Sequence, residues 1–402
     1  MPMRLLRTYT GKYLLRLCLV ACLFPLASGG RAQDTVKARS WSLNGYLKEM
    51  PGVLYTNVNE TWYWQNLVHN RLNFRWQISP AFSMGAGMRN RFSFGNLDKE
   101  YPDYFTSFGY DNGVVDLSWN IVSGPHYVLN TSLDRLWVDF SKGKFQVTAG
   151  RQRVNWGLNY VWNPNDIFNS YSYLDFDYEE KPGSDAVRFQ YYPENLGRAE
   201  ITVKAAKDWK ITAAGLYQFN RWKWDFQVLG GVMDGTDLAV GGGWSGQIAG
   251  GGFRGEATWF QPLKKFGDTT GVVTASLGYD YTFRNSLMLQ FEALYNGNPN
   301  GNLTTLLSAN QNTESSMSAK NPFLSDFTVF GGVNYPVLPL LNLSLAGMYN
   351  WTNKTYILIP SGTVSLTNNM ELMLLAQLFQ IYDTQASRAG ITFIFLRYKW
   401  SF

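Results

Sequence analysis

From Val273 to Phe283 apolar and polar side chains alternate. Val273, Ala275, Leu277, Tyr279, Tyr281 and Phe283 fall on one side, and Thr274, Ser276, Gly278, Asp280 and Thr282 on the other. A period of two is the period of a strand, whose successive side chains point to opposite faces, so the segment predicts a strand with one greasy and one polar face. The split recurs with Val187, Phe189 and Tyr191 against Arg188 and Gln190, and with Ile201, Val203 and Ala205 against Glu200, Thr202 and Lys204. It recurs again with Leu72, Phe74, Trp76 and Ile78 against His69, Arg71, Asn73, Arg75 and Gln77, and with Leu289, Phe291, Ala293 and Tyr295 against Gln290, Glu292 and Asn296.

Read along the whole chain, this pattern predicts strands over 41–55, 63–79, 81–95, 113–122, 127–141, 144–156, 184–192, 197–206, 209–220, 222–233, 237–248, 250–260, 270–283, 286–296, 325–335, 340–352, 355–367, 370–382 and 388–402. Lys142-Gly143, Glu194-Asn195-Leu196-Gly197 and Asn368-Asn369 read as tight turns between them. Three connections are too long for turns: Asn96 to Asn112, Leu158 to Ser184 and Gly297 to Pro322.

A soluble sandwich also alternates, so the period alone does not decide between water and lipid. The polar faces here carry mostly Thr, Ser, Asn, Gln and Gly with isolated charges, whereas a face in bulk water is rich in Lys and Glu. The apolar faces end in Tyr, Trp or Phe, as at the interfaces of a transmembrane barrel. The expected fold is therefore all-β: one closed antiparallel transmembrane barrel of about 18 strands, with 16 the next choice. The nineteen segments are one more than an even barrel holds, so at least one is expected to be misassigned.

Composition narrows the picture further. Charged residues make up 16% of the chain, against about 25% in a usual soluble domain, and aromatic residues another 16%. The net charge of +5 comes from Arg4, Arg7, Lys12, Arg16 and Arg31, which precede any acid; without them the balance is 30 against 30. No nucleic-acid partner is indicated. That basic start, the apolar stretch 17–27 and the small residues of Ser28-Gly29-Gly30-Arg31-Ala32 read as an export signal over 1–32, leaving 33–402 as the barrel. Leu19-Val20-Ala21-Cys22 also fits a lipidation box, a rival reading at Cys22. Cys18 and Cys22 are the only cysteines, so neither a disulfide framework nor a thiolate metal site is expected after cleavage. At the other end Ile394, Leu396, Tyr398, Trp400 and Phe402 alternate. This ending resembles the signal by which the outer-membrane assembly machinery recognises a last strand; the opposite face turns apolar at Phe395 and Phe393.

The segment from Gly150 to Ser184 carries the candidate chemistry. Continuing the parity of Phe145, Val147 and Ala149 would push Arg151 and Arg153 into hydrocarbon, at roughly 2 to 4 kcal/mol each. A bulge at Gly150 is expected to turn both inward, beside Arg135. The loop then offers Asp166, Asp175, Asp177, Glu179 and Glu180 among Tyr160, Trp162, Phe168, Tyr171, Tyr173, Phe176 and Tyr178. Arginines facing an acidic loop are how a pore is narrowed and its field set. The alternative is a solvated outer rim of acids. Asp175-x-Asp177-x-Glu179 lacks the Gly turn of a calcium loop, and no metal or cofactor is expected.

Gly150-Arg151-Gln152, Trp156-Gly157 and Trp162-Asn163-Pro164-Asn165-Asp166 together resemble a segment of porin-like outer-membrane proteins of Gram-negative bacteria. The resemblance extends to the Phe402 ending and to Ile359-Pro360-Ser361 with Leu366-Thr367-Asn368-Asn369. It implies a barrel in the bacterial outer membrane and brings no defined substrate. The leading expectation is a channel for small hydrophilic solutes, in contact with outer-membrane lipid and the barrel-assembly machinery, with a homo-oligomer left open. The alternatives are a plugged barrel anchoring a surface or secretion complex and a lipid-modifying enzyme. The last has only His69 and His126 to work with and no nucleophile motif beside either.

Overall fold

The computed structural model describes residues 40–57, 60–102, 104–169, 173–177, 179–193, 197–299, 317–323, 325–352, 354–382 and 388–402. The expected export signal with Cys18 and Cys22, the turn at 194–196, Tyr171, Tyr178 and most of the loop 297–322 lie outside these residues.

Among the described residues nineteen strands form: β1 (Trp41–Thr56), β2 (Thr61–Gln77), β3 (Phe82–Gly95), β4 (Ser118–Gly124), β5 (Tyr127–Lys142), β6 (Phe145–Gln152), β7 (Ser184–Tyr191), β8 (Arg198–Ala205), β9 (Ile211–Arg221), β10 (Trp224–Met233), β11 (Asp237–Ile248), β12 (Gly251–Pro262), β13 (Val272–Thr282), β14 (Met288–Asn296), β15 (Phe327–Leu338), β16 (Leu341–Asn350), β17 (Thr355–Thr367), β18 (Met370–Tyr382) and β19 (Arg388–Ser401). Each of the nineteen segments read from the sequence corresponds to one of them. The expectation that one was misassigned is corrected by the topology. Strand β3 pairs with β5, and β4 pairs with β5 alone, so β4 stands outside a closed ring of eighteen.

The ring closes where β1 meets β19 in antiparallel register, from Tyr46 opposite Ser401 to Thr56 opposite Ile391. First and last strands can pair antiparallel only if the ring count is even, and β4 supplies the odd one. Its role follows from β5. On one edge β5 pairs with β3 along nearly its whole length. On the other, residues 136–142 pair with β6 and residues 127–132 with β4. Strand β6 ends at Gln152, four residues short of the expected end, where the chain leaves the wall for the lumen. Without β4 the upper half of β5 would expose unpaired backbone, which hydrocarbon cannot satisfy.

The exterior is apolar. Phe145, Ile201 and Phe189 are each more than half exposed, and Val228, Leu345 and Leu374 project from the same wall. Water would not tolerate such a continuous surface on a monomer, whereas lipid does. Short turns join the strands at the end where β1 begins and β19 finishes. Trp222-Lys223 and Ala249-Gly250 turn on two residues of positive φ, which matches the twist of the hairpin. The opposite end carries the long connections.

Candidate functional site

The inward faces differ between the two ends of the barrel. Toward the turns they present Asn44, Arg75, Asn220, Asp225, Gln247 and Asn342, all exposed. Toward the loops they become apolar, with Leu216, Leu229, Met233, Phe260, Leu294, Phe330, Ile357 and Phe395 buried. These residues receive the described residues of the loop 153–183, which lie in the lumen along the inner wall.

The first half of this loop gives hydrogen bonds to wall glutamates. Trp156 Nε1 donates to Glu200 at 2.8 Å, and Gln227 donates to the Trp156 carbonyl at 2.7 Å. The amides of Leu158, Asn159 and Asn165 each donate to the Glu256 carboxylate at 3.0 Å. Those of Val161 and Trp162 donate to Glu292 at 3.1 and 2.7 Å. A loop cannot pair its backbone as a strand does, and once buried each amide needs an acceptor. Glu256 and Glu292, on β12 and β14, provide them, and Glu200 on β8 accepts from the Trp156 indole.

Aromatic anchors continue the circuit. Trp156 packs edge-on against Phe168, and Trp162 against Phe323. Tyr173 meets Phe330 of β15, Gln377 of β18 donates to the Leu174 carbonyl at 2.8 Å, and Phe176 lies 4.9 Å from Phe395 of β19.

The last part of the loop reverses the chemistry, with loop carboxylates meeting wall cations. Asp177 lies 2.9 Å from His69 Nδ1, 3.4 Å from Lys48 Nζ and 4.0 Å from Arg89. Glu179 reaches Lys48, Arg397 and Lys399 at 3.1, 3.4 and 2.9 Å. Glu180 lies 3.3 Å from Arg71 and accepts from the Tyr46 hydroxyl at 3.0 Å. Arg135 donates to the carbonyls of Glu180 and Lys181, both at 2.7 Å, and Asp175 is half-buried on the same run. Burial by itself would raise the Asp177 carboxyl. Its neighbours His69, Lys48 and Arg89 outweigh that and hold it well below the usual carboxylate range.

Asp166 is the opposite case. Burial pushes it up to about 6, although Arg153 Nη2 lies 3.3 Å away and Lys181 is near. The Lys181 ammonium is lowered to about 8 by burial and then by Arg153.

Of the residues singled out in the sequence, Arg135, Asp177, Glu179 and Glu180 come together, and Arg153 joins Asp166 a short distance along the loop. Arg151 joins neither group. Gly150 takes a positive φ of 113°, but the ladders with β5 and β7 run through it without a register shift, so the expected bulge is absent; Arg151 keeps the parity of Phe145, Val147 and Ala149, opposite Leu136, and is only 6% exposed. Its guanidinium is held by Asp185 at 2.6 Å, Asp111 at 2.5 Å and the Val115 carbonyl at 2.7 Å. It ties the segment leading into β4 to the wall. At the end of the ring Tyr398 and Trp400 stand opposite Glu49 and Leu47 of β1, and the Phe402 amide donates to the Gly45 carbonyl at 2.9 Å.

Lys48, Arg89, Arg397, Lys399 and Glu256 were not singled out beforehand. The signal was there in the charges on inward faces: Lys48 stands alone on its face, and Arg89 with Arg91, Arg254 with Glu256, and Arg397 with Lys399 stand two residues apart on theirs. His69 is engaged on both ring nitrogens, by Asp177 and, at 3.4 Å, by Arg89 Nε; His126 pairs with Asp98 at 2.9 Å.

Fold and site together define a transmembrane β-barrel of eighteen ring strands whose lumen is narrowed by an inward-folded loop. Solved barrels share this architecture. OccD3 (OpdP) of Pseudomonas aeruginosa matches at a TM-score of 0.55 and 9% identity, over 89% of this chain and 91% of its own. OccAB1 of Acinetobacter baumannii matches at 0.55 and 12%, over 89% and 96%. OpdK of Pseudomonas aeruginosa, solved with vanillate, matches at 0.54 and 9%, over 90% and 99%. At such identity the likeness is one of fold. The sequence matches no protein-family model and no curated protein.

Proposed function

We propose that this chain is a porin-like channel of the bacterial outer membrane that passes small hydrophilic solutes, with residues 1–32 removed on export and 33–402 forming the barrel. The observation that carries this reading is the course of the loop 153–183. It is clamped to the inner wall in turn by β8, β12, β14, β18, β19, β1 and β2, a path that follows the wall around the lumen, where a constriction of the pore would lie. The polar, exposed inward faces toward the turns give a wetted approach to that ring. OpdK, one of the barrels of like fold, is described as an outer-membrane protein.

In this reading Tyr160 and Glu179, both exposed on the loop, and Arg254, which lies 2.6 Å from Asp280 and 4.2 Å from the centre of the Tyr160 ring, face the passing solute. Arg135, Arg153, Asp166, Asp175, Asp177 and Glu180 set the width and field by fixing the loop. Tyr398, Trp400 and Phe402 serve recognition by the assembly machinery.

Planar-bilayer recording of the refolded protein tests the proposal. Discrete conductance steps are expected. A barrel shown to be folded by its heat-modifiable gel mobility, yet silent in the bilayer, would reject the channel and leave the plugged anchor.

A further inference from the structure

The outer wall of β1, β2, β3 and β5 breaks the rule that the exterior is apolar. Cross-strand register places Asn70, Asn90 and Thr131 in one row on the lipid-facing side, beside outward-facing Glu49 and Asn66. On β2, Asn70 stands between Trp62 and Trp64 on one side and Phe74 and Trp76 on the other. It therefore lies inside the aromatic girdles, at hydrocarbon depth.

These side chains bond to one another. Thr131 donates to Asn90 Oδ1 at 2.9 Å, Asn90 to Asn70 Oδ1 at 3.1 Å, Asn70 to the Tyr46 carbonyl at 3.1 Å and Asn66 to Glu49 at 3.3 Å. The network is not closed. Each amide nitrogen has two hydrogens and uses one here, the Asn66 carbonyl oxygen has no partner, and the Glu49 carboxylate is exposed. Lipid chains offer neither donors nor acceptors.

We infer that this wall is the self-association surface of the protein, and that its occupant is a second copy of the chain. The argument is complementarity under a two-fold axis along the membrane normal. Such an axis sets the β1 side of one wall against the β3 side of the other at equal depth. The β1 side presents the exposed Glu49 carboxylate as an acceptor; the β3 side offers the spare amide hydrogen of Asn90. Shape follows the same rule. Trp62, 60% exposed, projects on the β1 side near the loop end. A hollow of about 590 Å³ opens on the β3 side near the same end, lined by Trp64, Phe92, Phe94 and Tyr127. Each copy thus presents the knob its partner's hollow takes.

The experiment uses full-length protein in its native membrane. Val68→Cys, on the same wall, is treated with a short bismaleimide and compared with Leu289→Cys on the wall of β14 and with the unsubstituted chain, which carries only Cys18 and Cys22. A species of twice the chain mass from Val68→Cys alone is expected. In the second arm Glu49→Leu, Asn70→Leu and Asn90→Leu are combined. They make the wall more apolar, so the barrel still folds, and self-association weakens about tenfold, the effect of removing a few polar contacts from hydrocarbon. Crosslinking of Val68→Cys to a different polypeptide, no crosslink at all, or a triple variant that associates as before would each overturn the inference.

Discussion

His69 Nδ1 and Asp177 Oδ2 lie 2.9 Å apart although 108 residues separate them in the chain. This contact, with Lys48 and Arg89 around it, pins the far end of the inner loop to β1–β3, where β2 is three ring positions from the β6 strand that the loop leaves. Removing Asp177 leaves buried cations without their counter-charge, which costs roughly 3 to 5 kcal/mol. Asp177→Asn is therefore expected to release the loop from β1–β3 while the barrel stays folded. Larger or noisier single-channel steps than those of the parent protein would show it; unchanged traces would count against a clamping role.

Glu256 tests the other clamp. Three loop amides converge on its carboxylate, and glutamine keeps only one acceptor oxygen for them. Glu256→Gln is expected to weaken docking of residues 158–165 by about 1 to 3 kcal/mol, the cost of stranding buried donors. Hydrogen exchange of those amides should accelerate while exchange in β12 remains slow.

Gly150 bears on the wall itself. At its φ of 113° an added Cβ would lie 2.3 Å from the Leu136 carbonyl oxygen. Gly150→Ala is expected to cost about 1 to 3 kcal/mol in backbone strain, read as a lower urea midpoint of the folded barrel in detergent. A substitution at Gly143, whose Cβ would meet nothing within 4 Å, should be milder.

Asp166 gives the loop a pH dependence. Its folded pKa, about 6, lies above the ordinary value of 3.8, so the docked loop favours the protonated acid. Its contribution is fully present below 3.8 and is lost as pH rises through about 6. Protection of residues 153–169 from exchange should therefore improve on acidification from pH 7 to 5, and Asp166→Asn should flatten that change. Asp177 works in the opposite sense, with stability present above 3.8 and lost only on further acidification through its lowered folded value, so the two do not mask each other in this range.

The wall was legible because one force writes it. Every ring strand separates lipid from lumen, so its side chains alternate wherever the strand runs, and β11, β17 and β18 begin and end where the pattern does. The edges were less legible where the chain leaves that environment. Arg153–Trp156 alternate again, out of phase with Phe145, Val147 and Ala149, and read as more of β6, yet Trp156 turns inward to be buried between Glu200 and Phe168. The apolar inward residues Phe393 and Phe395 looked like a defect in the last strand. They are the seat of Phe176, and such breaks in parity mark where the loop docks.

The alternation and the apolar, aromatic-edged outer faces determined the barrel and its approximate size, because a local periodicity is enough to state which medium each face meets. The tertiary structure alone decided that β4 lies outside the ring, that Arg151 braces the wall through Asp185 and Asp111, and that the loop's acids meet Lys48, His69, Arg71, Arg397 and Lys399. Those are pairings between distant residues. Charge patterning shows that a carboxylate needs a partner, but only closure of the ring brings β19 and β1 beside the end of the loop and so selects which cations it finds.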